Sequence, residues 1–263
     1  MRAGFFTFQP SEVAKLMLVI YLAYSLSQKV DRIKTFSIGF LPHIIISGLI
    51  ILLILKEPDF GTAVVLGGIT IFMMYIAGVR FTYLVTLFLI TLPFIYLMIT
   101  QVGYRMNRIM AFLNPWKDPE GGGFQIVQSL LAFGAGGIWG VGLGEGRQKL
   151  LYLPEAHSDF ILSVVGEELG LLGVSTILIL YLFFLICGIR IALKAGDLFG
   201  SYLALGITLL ITLQAIVNTG VVMGLLPPKG LALPFISYGG TSLVVNMVGV
   251  GILLNIFIKG SEG

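Results

Sequence analysis

Long, uninterrupted apolar segments are the feature that most constrains the fold of this chain. Seven of them approach the ~20 residues that a helix needs to cross a bilayer: 12–28, 38–55, 61–78, 82–100, 161–187, 200–223 and 237–258. Their apolar character is continuous rather than alternating, which favours transmembrane helices over the strands of a barrel. Only 11% of the residues are charged, whereas water-soluble domains carry about 25%. We therefore predict an all-α, polytopic transmembrane helix bundle that forms a single membrane domain over residues 1–263.

The segment between the fourth and fifth spans, residues 101–160, has a different character. It is rich in charged residues and glycines, including three consecutive glycines at 121–123. A loop of this length in a compact protein is usually functional or disordered. Its apolar patch, from Phe124 to Phe133, argues against disorder. We predict a folded loop with re-entrant or interfacial helices.

The basic residues of the short loops predict the orientation of the spans. One set of loops is the richer in lysine and arginine: Lys29, Arg32, Lys34, Arg80, Arg190, Lys194 and Lys259. By the positive-inside rule these loops are cytoplasmic. The 101–160 loop, the 56–59 turn and the 224–236 loop then share the outer face of the membrane. The N-terminus is expected on that face as well.

Several charged residues lie at or inside the ends of the spans: Glu12, Lys15, Glu57, Asp59, Asp159, Glu167, Glu168 and Lys229. A charge at membrane depth costs roughly 2.5–3.5 kcal/mol on insertion scales, so such residues often serve function. The alternatives are snorkelling to the interface and pairing, since Glu12 and Lys15 are three residues apart on one helical face. Most of these charges fall at the predicted outer face, which indicates a site there.

Other familiar sites receive little support. His157 and Asp159 are two residues apart and do not face each other on a helix, so a Ser-His-Asp triad with the serine between them is poorly supported. The glycine-rich run at 142–146 follows no predicted strand, which excludes a nucleotide-binding loop. The sequence has no HExxH motif and no clustered Cys/His, and the single cysteine, Cys187, is interpreted as a packing residue.

Ten short segments resemble the SEDS family (shape, elongation, division and sporulation), of the FtsW/RodA type. They are FQPSEVAKL at 8–16, EPDFGT at 57–62, YR and R at 104–108, FLNPW at 112–116, Q and QS at 125–129, GVGLG at 140–144, QKL at 148–150, LPEAHSDF at 153–160, GEELG at 166–170 and PFISYGG at 234–240. The family has ten spans with both ends in the cytoplasm. The seven spans here resemble its last seven, so three upstream spans are expected to be missing.

The resemblance implies a peptidoglycan glycosyltransferase. Such an enzyme polymerises lipid II, an undecaprenyl-pyrophosphate disaccharide-pentapeptide, into β-1,4 glycan strands outside the cytoplasmic membrane during division or elongation. It implies a class B penicillin-binding transpeptidase as partner, alongside other divisome or elongasome membrane proteins, and no nucleic acid. Two alternatives stay open: a lipid II flippase or other transporter, and a non-catalytic scaffold for the transpeptidase.

The resemblance also assigns site residues. Asp159 matches an essential aspartate of the family and is predicted to be catalytic, as the base that takes a proton from the attacking sugar hydroxyl. The predicted substrate-binding residues are Arg105, Arg108, Lys149, His157, Lys229, Glu57, Asp59, Gln128 and Ser237. The basic residues suit pyrophosphate; a divalent cation, Mg or Mn, held by carboxylates is the alternative. Glu57 and Asp59 alternatively stabilise the outer loop, and Ser237 alternatively fixes the entry of a helix.

Overall fold

The computed structural model describes residues 2–3, 6–7, 9–57, 59–100, 109–146, 157–228 and 230–261. The main helices are α1 (Pro10–Ser27), α2 (Leu41–Lys56), α3 (Phe60–Ile76), α4 (Phe81–Thr100), α5 (Phe124–Gly136), α6 (Ile161–Glu168), α7 (Gly170–Lys194), α8 (Leu198–Val222) and α9 (Gly240–Ser261). Residues 109–113 are also helical. Shorter turns are the 3-10 helices Val30–Arg32 and Pro115–Lys117 and the π-helix Phe36–Phe40. Two short strands, β1 (Arg2–Ala3) and β2 (Phe6–Thr7), form an antiparallel pair.

Among the described residues, four helical segments are long and apolar enough to cross a membrane: Phe36–Lys56, Gly170–Lys194, Leu198–Val222 and Gly240–Gly260. Shorter apolar helices cover Phe60–Ile76, Phe81–Phe94 and Phe124–Gly136. The last of these lies within the 101–160 segment, where the sequence predicted embedded or interfacial helices. The predicted class, an all-α polytopic membrane protein, is confirmed.

The predicted fifth span, 161–187, was wrong as a single helix. α6 ends at Glu168 and α7 begins at Gly170, which adopts a left-handed φ of 64°. A Cβ on Gly170 would lie 2.4 Å from the backbone nitrogen of Gly140. Only glycine readily adopts a left-handed φ and also leaves room for the Gly140 backbone. Gly170 therefore specifies the break between α6 and α7. The spanning helix therefore starts at residue 170.

The chain divides into two compact units. The first unit comprises Met1–Ile90, Phe183–Leu213 and Gly240–Gly263, and the second comprises Thr91–Leu182 and Gln214–Gly239. In the first unit α1 packs against α2, α3 and α9. A buried histidine joins α1 to the start of α2: His43 Nδ1 lies 2.8 Å from Gly39 O, and His43 Nε2 lies 3.1 Å from Ser25 Oγ.

The core of the second unit gathers side chains from α6, α7, α8 and the loop that follows α8. Its buried members are Phe160, Leu162, Val164, Val174, Ala215, Val221, Val222 and Leu233. α5 packs along α6 so closely that a Cβ on Gly136 would lie 1.9 Å from Gly166 O. This packing fixes α6, whose N-terminal end carries the segment predicted to be catalytic.

A buried serine ties three helices of the second unit together. Ser129 Oγ lies 2.7 Å from Ser163 Oγ and 2.5 Å from Val222 O. Because a carbonyl only accepts, Ser129 donates to Val222 and Ser163 donates to Ser129. The three residues come from α5, α6 and α8, so these two hydroxyls connect three helices inside the second unit.

Ser129→Ala is expected to destabilise the protein. It leaves the Val222 carbonyl and the Ser163 hydroxyl buried without their partner, at a cost of about 1–3 kcal/mol. The melting temperature in detergent should fall by about 2–4 °C per kcal/mol. Ser27→Ala is the matched control, since Ser27 donates to Tyr24 O on an exposed surface. Equal melting temperatures for the two variants would contradict the prediction.

Candidate active site

The four residues 157–160, here called the aspartate turn, lead into α6 and carry Asp159. Three consecutive carbonyls of the turn accept hydrogen bonds from elsewhere in the second unit: His157 O from Tyr238 N at 3.0 Å, Ser158 O from Ser237 Oγ at 2.5 Å and Asp159 O from Asn218 Nδ2 at 2.8 Å. The fourth carbonyl, that of Phe160, accepts from Ser163 N at 3.0 Å. Because every carbonyl of the turn is held, its backbone is fixed and the Asp159 side chain projects from a rigid support.

The 230–239 loop supplies two of these donors and is itself braced. Ser237 Oγ accepts from Leu233 N at 2.7 Å while it donates to the aspartate turn. Tyr181 of α7 donates its hydroxyl to Pro234 O. Phe235 adopts a φ of 66°, which is uncommon for a residue other than glycine. Such strained backbone clusters at functional sites, where surrounding contacts enforce it.

The Asp159 side chain is half-buried and lies against a glycine. A Cβ on Gly230 would be 2.8 Å from Asp159 Oδ2, closer than real Cβ atoms come to such an atom. Because residue 230 is a glycine, there is room for the Asp159 carboxylate at this position. Since Asp159 is only partly covered, its carboxylate is accessible while the backbone that carries it is fixed.

Asn218 of α8 is a site residue that the sequence reasoning missed. It is 1% exposed, and its Nδ2 donates both to Asp159 O at 2.8 Å and to Leu231 O at 2.6 Å. One amide thus joins the aspartate turn to the 230–239 loop. The signal available in the sequence was an asparagine inside an apolar span, since polar side chains at such depth usually hydrogen-bond to other segments.

Glu57 and Asp59 belong to the first unit, whereas Asp159 belongs to the second. Glu57 is exposed just after α2. Asp59 caps α3, since its Oδ1 accepts from Thr62 N at 2.9 Å, and a capping aspartate stabilises a helix start by about 1 kcal/mol. This capping corresponds to the structural alternative for Asp59. Substrate binding by Glu57 and Asp59 stays a prediction.

The remaining predicted site residues divide into two groups. Arg105, Arg108, Lys149 and Lys229 lie outside the described residues. His157 belongs to the aspartate turn, Ser237 donates to the Ser158 carbonyl of that turn, and Gln128 is half-buried on α5 of the same unit. His157 contributes its carbonyl to the support of the turn, and its ring is exposed. Sugar or phosphate binding by these residues stays a prediction.

Two further sequence predictions concern charge and metal. Glu12 and Lys15 are buried in the first unit and pair at 2.7 Å between Glu12 Oε1 and Lys15 Nζ, which matches the pairing alternative. Within the described part of the chain, no group of three or more His, Cys, Asp or Glu residues is placed to hold a metal ion. A divalent cation stays a prediction.

The fold and the site define a class: a multi-pass membrane protein with a braced, half-buried aspartate at the start of a short helix. A family sequence profile, FTSW_RODA_SPOVE, described as "Cell cycle protein", matches residues 1–261. The chain belongs to this family, which confirms the resemblance seen in the sequence.

Similar proteins bear names within the same family. A "Probable peptidoglycan glycosyltransferase FtsW" of Geobacter metallireducens is 55% identical over 251 residues, which are 95% of this chain and 67% of that protein. The "Stage V sporulation protein E" of Bacillus subtilis is 47% identical over 253 residues, covering 96% of this chain and 69% of that one. The chain thus spans about two thirds of the length of these relatives.

Solved structures share the fold. One belongs to a peptidoglycan synthase complex described as coordinating polymerization and crosslinking. It superimposes with a TM-score of 0.76 and 28% identity, over 100% of this chain and 74% of its own. The rod shape determining protein RodA of Thermus thermophilus superimposes with a TM-score of 0.63 and 26% identity, over 98% and 68% respectively.

Proposed function

We propose that this chain is a peptidoglycan glycosyltransferase that polymerises lipid II at the outer face of the bacterial cytoplasmic membrane. The observation that supports this proposal is Asp159, a residue with a half-buried carboxylate on a turn whose every carbonyl accepts a hydrogen bond. The names of the FtsW relatives bear out the enzyme class. The substrate, the active face and the role of each residue are our proposal.

In the proposed reaction Asp159 acts as general base. Its carboxylate takes the proton of the 4-hydroxyl on the acceptor's N-acetylglucosamine. The hydroxyl oxygen forms a bond to C1 of the donor's N-acetylmuramic acid, and the bond from C1 to the pyrophosphate oxygen breaks. Undecaprenyl pyrophosphate leaves with the electron pair. A single displacement inverts the α-linked donor into a β-1,4 glycan, and a positioned base contributes roughly 10²–10⁴-fold to such a step.

The departing pyrophosphate needs positive charge. Arg105, Arg108, Lys149 and Lys229 are the proposed holders, and a Mg or Mn ion on carboxylates is the alternative. Arginine suits this role because its planar fork binds two phosphate oxygens at once. Glycan synthesis must be coupled to crosslinking, and the fold shared with a peptidoglycan synthase complex supports a class B penicillin-binding transpeptidase as partner. Other divisome or elongasome proteins would assemble around the pair.

The experiment that tests this function is polymerisation of lipid II. The full-length protein is purified in detergent with a class B penicillin-binding partner, and the products are resolved by length on a gel. Glycan strands above the background of the partner alone are expected. If no strands form but labelled lipid II crosses the bilayer of proteoliposomes, the protein is a transporter. If neither occurs and the partner's crosslinking is stimulated, it is a scaffold.

A further inference from the structure

Asn218 stands apart from the other supports of the aspartate turn. Ser237 and the Tyr238 backbone reach the turn from the neighbouring loop, whereas Asn218 reaches it from inside a membrane-spanning helix, α8. Its two acceptors, Asp159 O and Leu231 O, are separated from it by 59 and 13 positions in sequence. One side chain therefore sets the spacing between the turn that carries the carboxylate and the loop that borders it.

The orientation of the Asn218 amide is determined by its partners. Both are carbonyls, which only accept, so the NH₂ group must face them. This leaves Oδ1 buried, and no donor among the described residues reaches it. A buried acceptor without a partner is unfavourable, because it gives up its hydrogen bonds to water and gains none in return. This unfavourable burial argues against a purely stabilising role for Asn218. It is consistent with a role in holding two segments in a fixed geometry.

The 230–239 loop, which Asn218 holds through Leu231, borders the Asp159 carboxylate. Leu231, which Asn218 holds, directly follows Gly230, whose Cα borders Asp159 Oδ2. Asn218 thus fixes both the backbone of Asp159 and the wall against which its carboxylate packs. Loss of either bond lets the carboxylate shift relative to that wall.

We propose that Asn218 is a positioning residue for the glycosyl transfer: it acts on the reaction through Asp159, by holding the aspartate turn and the 230–239 loop at a fixed separation. This inference rests on the proposed function. It predicts that removal of the amide lowers the rate of the chemical step and leaves substrate binding nearly intact, because a misplaced reacting group loses rate steeply with distance.

The test compares Asn218→Ala with Asn218→Asp in the full-length protein with its partner. Both are expected to lower kcat for lipid II polymerisation about 10- to 100-fold while KM stays within about threefold. Asn218→Asp keeps the shape but turns a carboxylate oxygen toward two carbonyls, so it should be at least as impaired as Asn218→Ala. Thr219→Val is the matched control: Thr219 is the next residue of α8, and its buried Oγ1 has no partner among the described residues.

A second readout does not depend on catalysis. Backbone hydrogen exchange is measured over peptides that cover 157–163 and 230–239. Faster exchange in both peptides is expected for Asn218→Ala and not for Thr219→Val. If Asn218→Ala fails to fold, Asn218→Asp is measured in its place and should show the same pattern of lowered kcat, constant KM and faster exchange.

The outcomes separate the two proposals. Unchanged kcat in the Asn218 variants beside an active wild type overturns the positioning role and leaves the glycosyltransferase in place. A rise in KM at constant kcat also overturns it. An inactive wild type overturns the proposed function, and unchanged exchange in Asn218→Ala then shows that the residue does not hold the turn.

Discussion

Asp159→Asn is expected to abolish glycan polymerisation. The amide has the shape of the carboxylate but cannot take the proton of the attacking hydroxyl, so the rate should fall by about 10²–10⁴-fold. The hydrogen bond from Asn218 to this residue engages the carbonyl of Asp159, which the amide variant keeps. The variant should therefore fold normally, with a melting temperature close to that of the wild type. The measurement is lipid II polymerisation by the full-length protein with its class B partner.

The matched control for this variant is Glu145→Gln. Glu145 is an exposed carboxylate of the same compact unit, and its replacement also removes one negative charge. Polymerisation by this control should match the wild type, because the charge of an exposed side chain is largely screened by solvent and salt. Full activity of Asp159→Asn would remove Asp159 as the base and require another group to accept the proton.

Gly230→Ala is expected to have the second largest effect. The added methyl would lie 2.8 Å from Asp159 Oδ2, so the carboxylate must move away from the position that it occupies against this glycine. A displaced base should lower kcat by about 10- to 100-fold. Because Gly230 is exposed and the clash falls on the end of a side chain, the fold should persist. Polymerisation kinetics and a melting curve in detergent measure both parts of this prediction.

Gly134→Ala provides the comparison for a glycine with open space. It lies in α5 of the same unit, and a Cβ there would meet no other atom within 4 Å. Alanine also favours a helix interior over glycine by roughly 0.8–1.0 kcal/mol, so this variant should be active and no less stable. If both glycine variants polymerise like the wild type, the tight approach at residue 230 does not control the carboxylate.

The spans were predictable from sequence because continuous apolar runs have few alternatives in a membrane. Backbone groups in lipid must bond internally, and a helix satisfies them within one segment. The break after Glu168 was not predicted, because residues 161–187 were treated as one span and Glu167 and Glu168 only as charges near its end. It depends on Gly170, whose left-handed backbone fits against Gly140, a contact between segments 30 positions apart in sequence.

The candidate site was likewise predictable from the sequence only in part. Asp159 was identified through a sequence motif, and the structure places it on a braced turn. Asn218 could not be placed at that site from sequence, because its partners depend on how α8 packs against the loop that follows and against the aspartate turn. For Asp59 the sequence left two alternatives, substrate binding and a structural role; the structure shows a helix cap, and substrate binding stays a prediction.

The hydrogen bonds described for the aspartate turn engage its backbone carbonyls, and a backbone carbonyl can accept such a bond whatever side chain its residue bears. The exposed His157 ring takes no part in the bond from Tyr238 to its carbonyl. A cysteine in place of His157 should therefore keep the turn in position while offering a thiol for a fluorophore. Asp159, the proposed base, would then have a reporter two residues away, and binding of the proposed glycan substrate at the turn could be followed in real time as a change in emission.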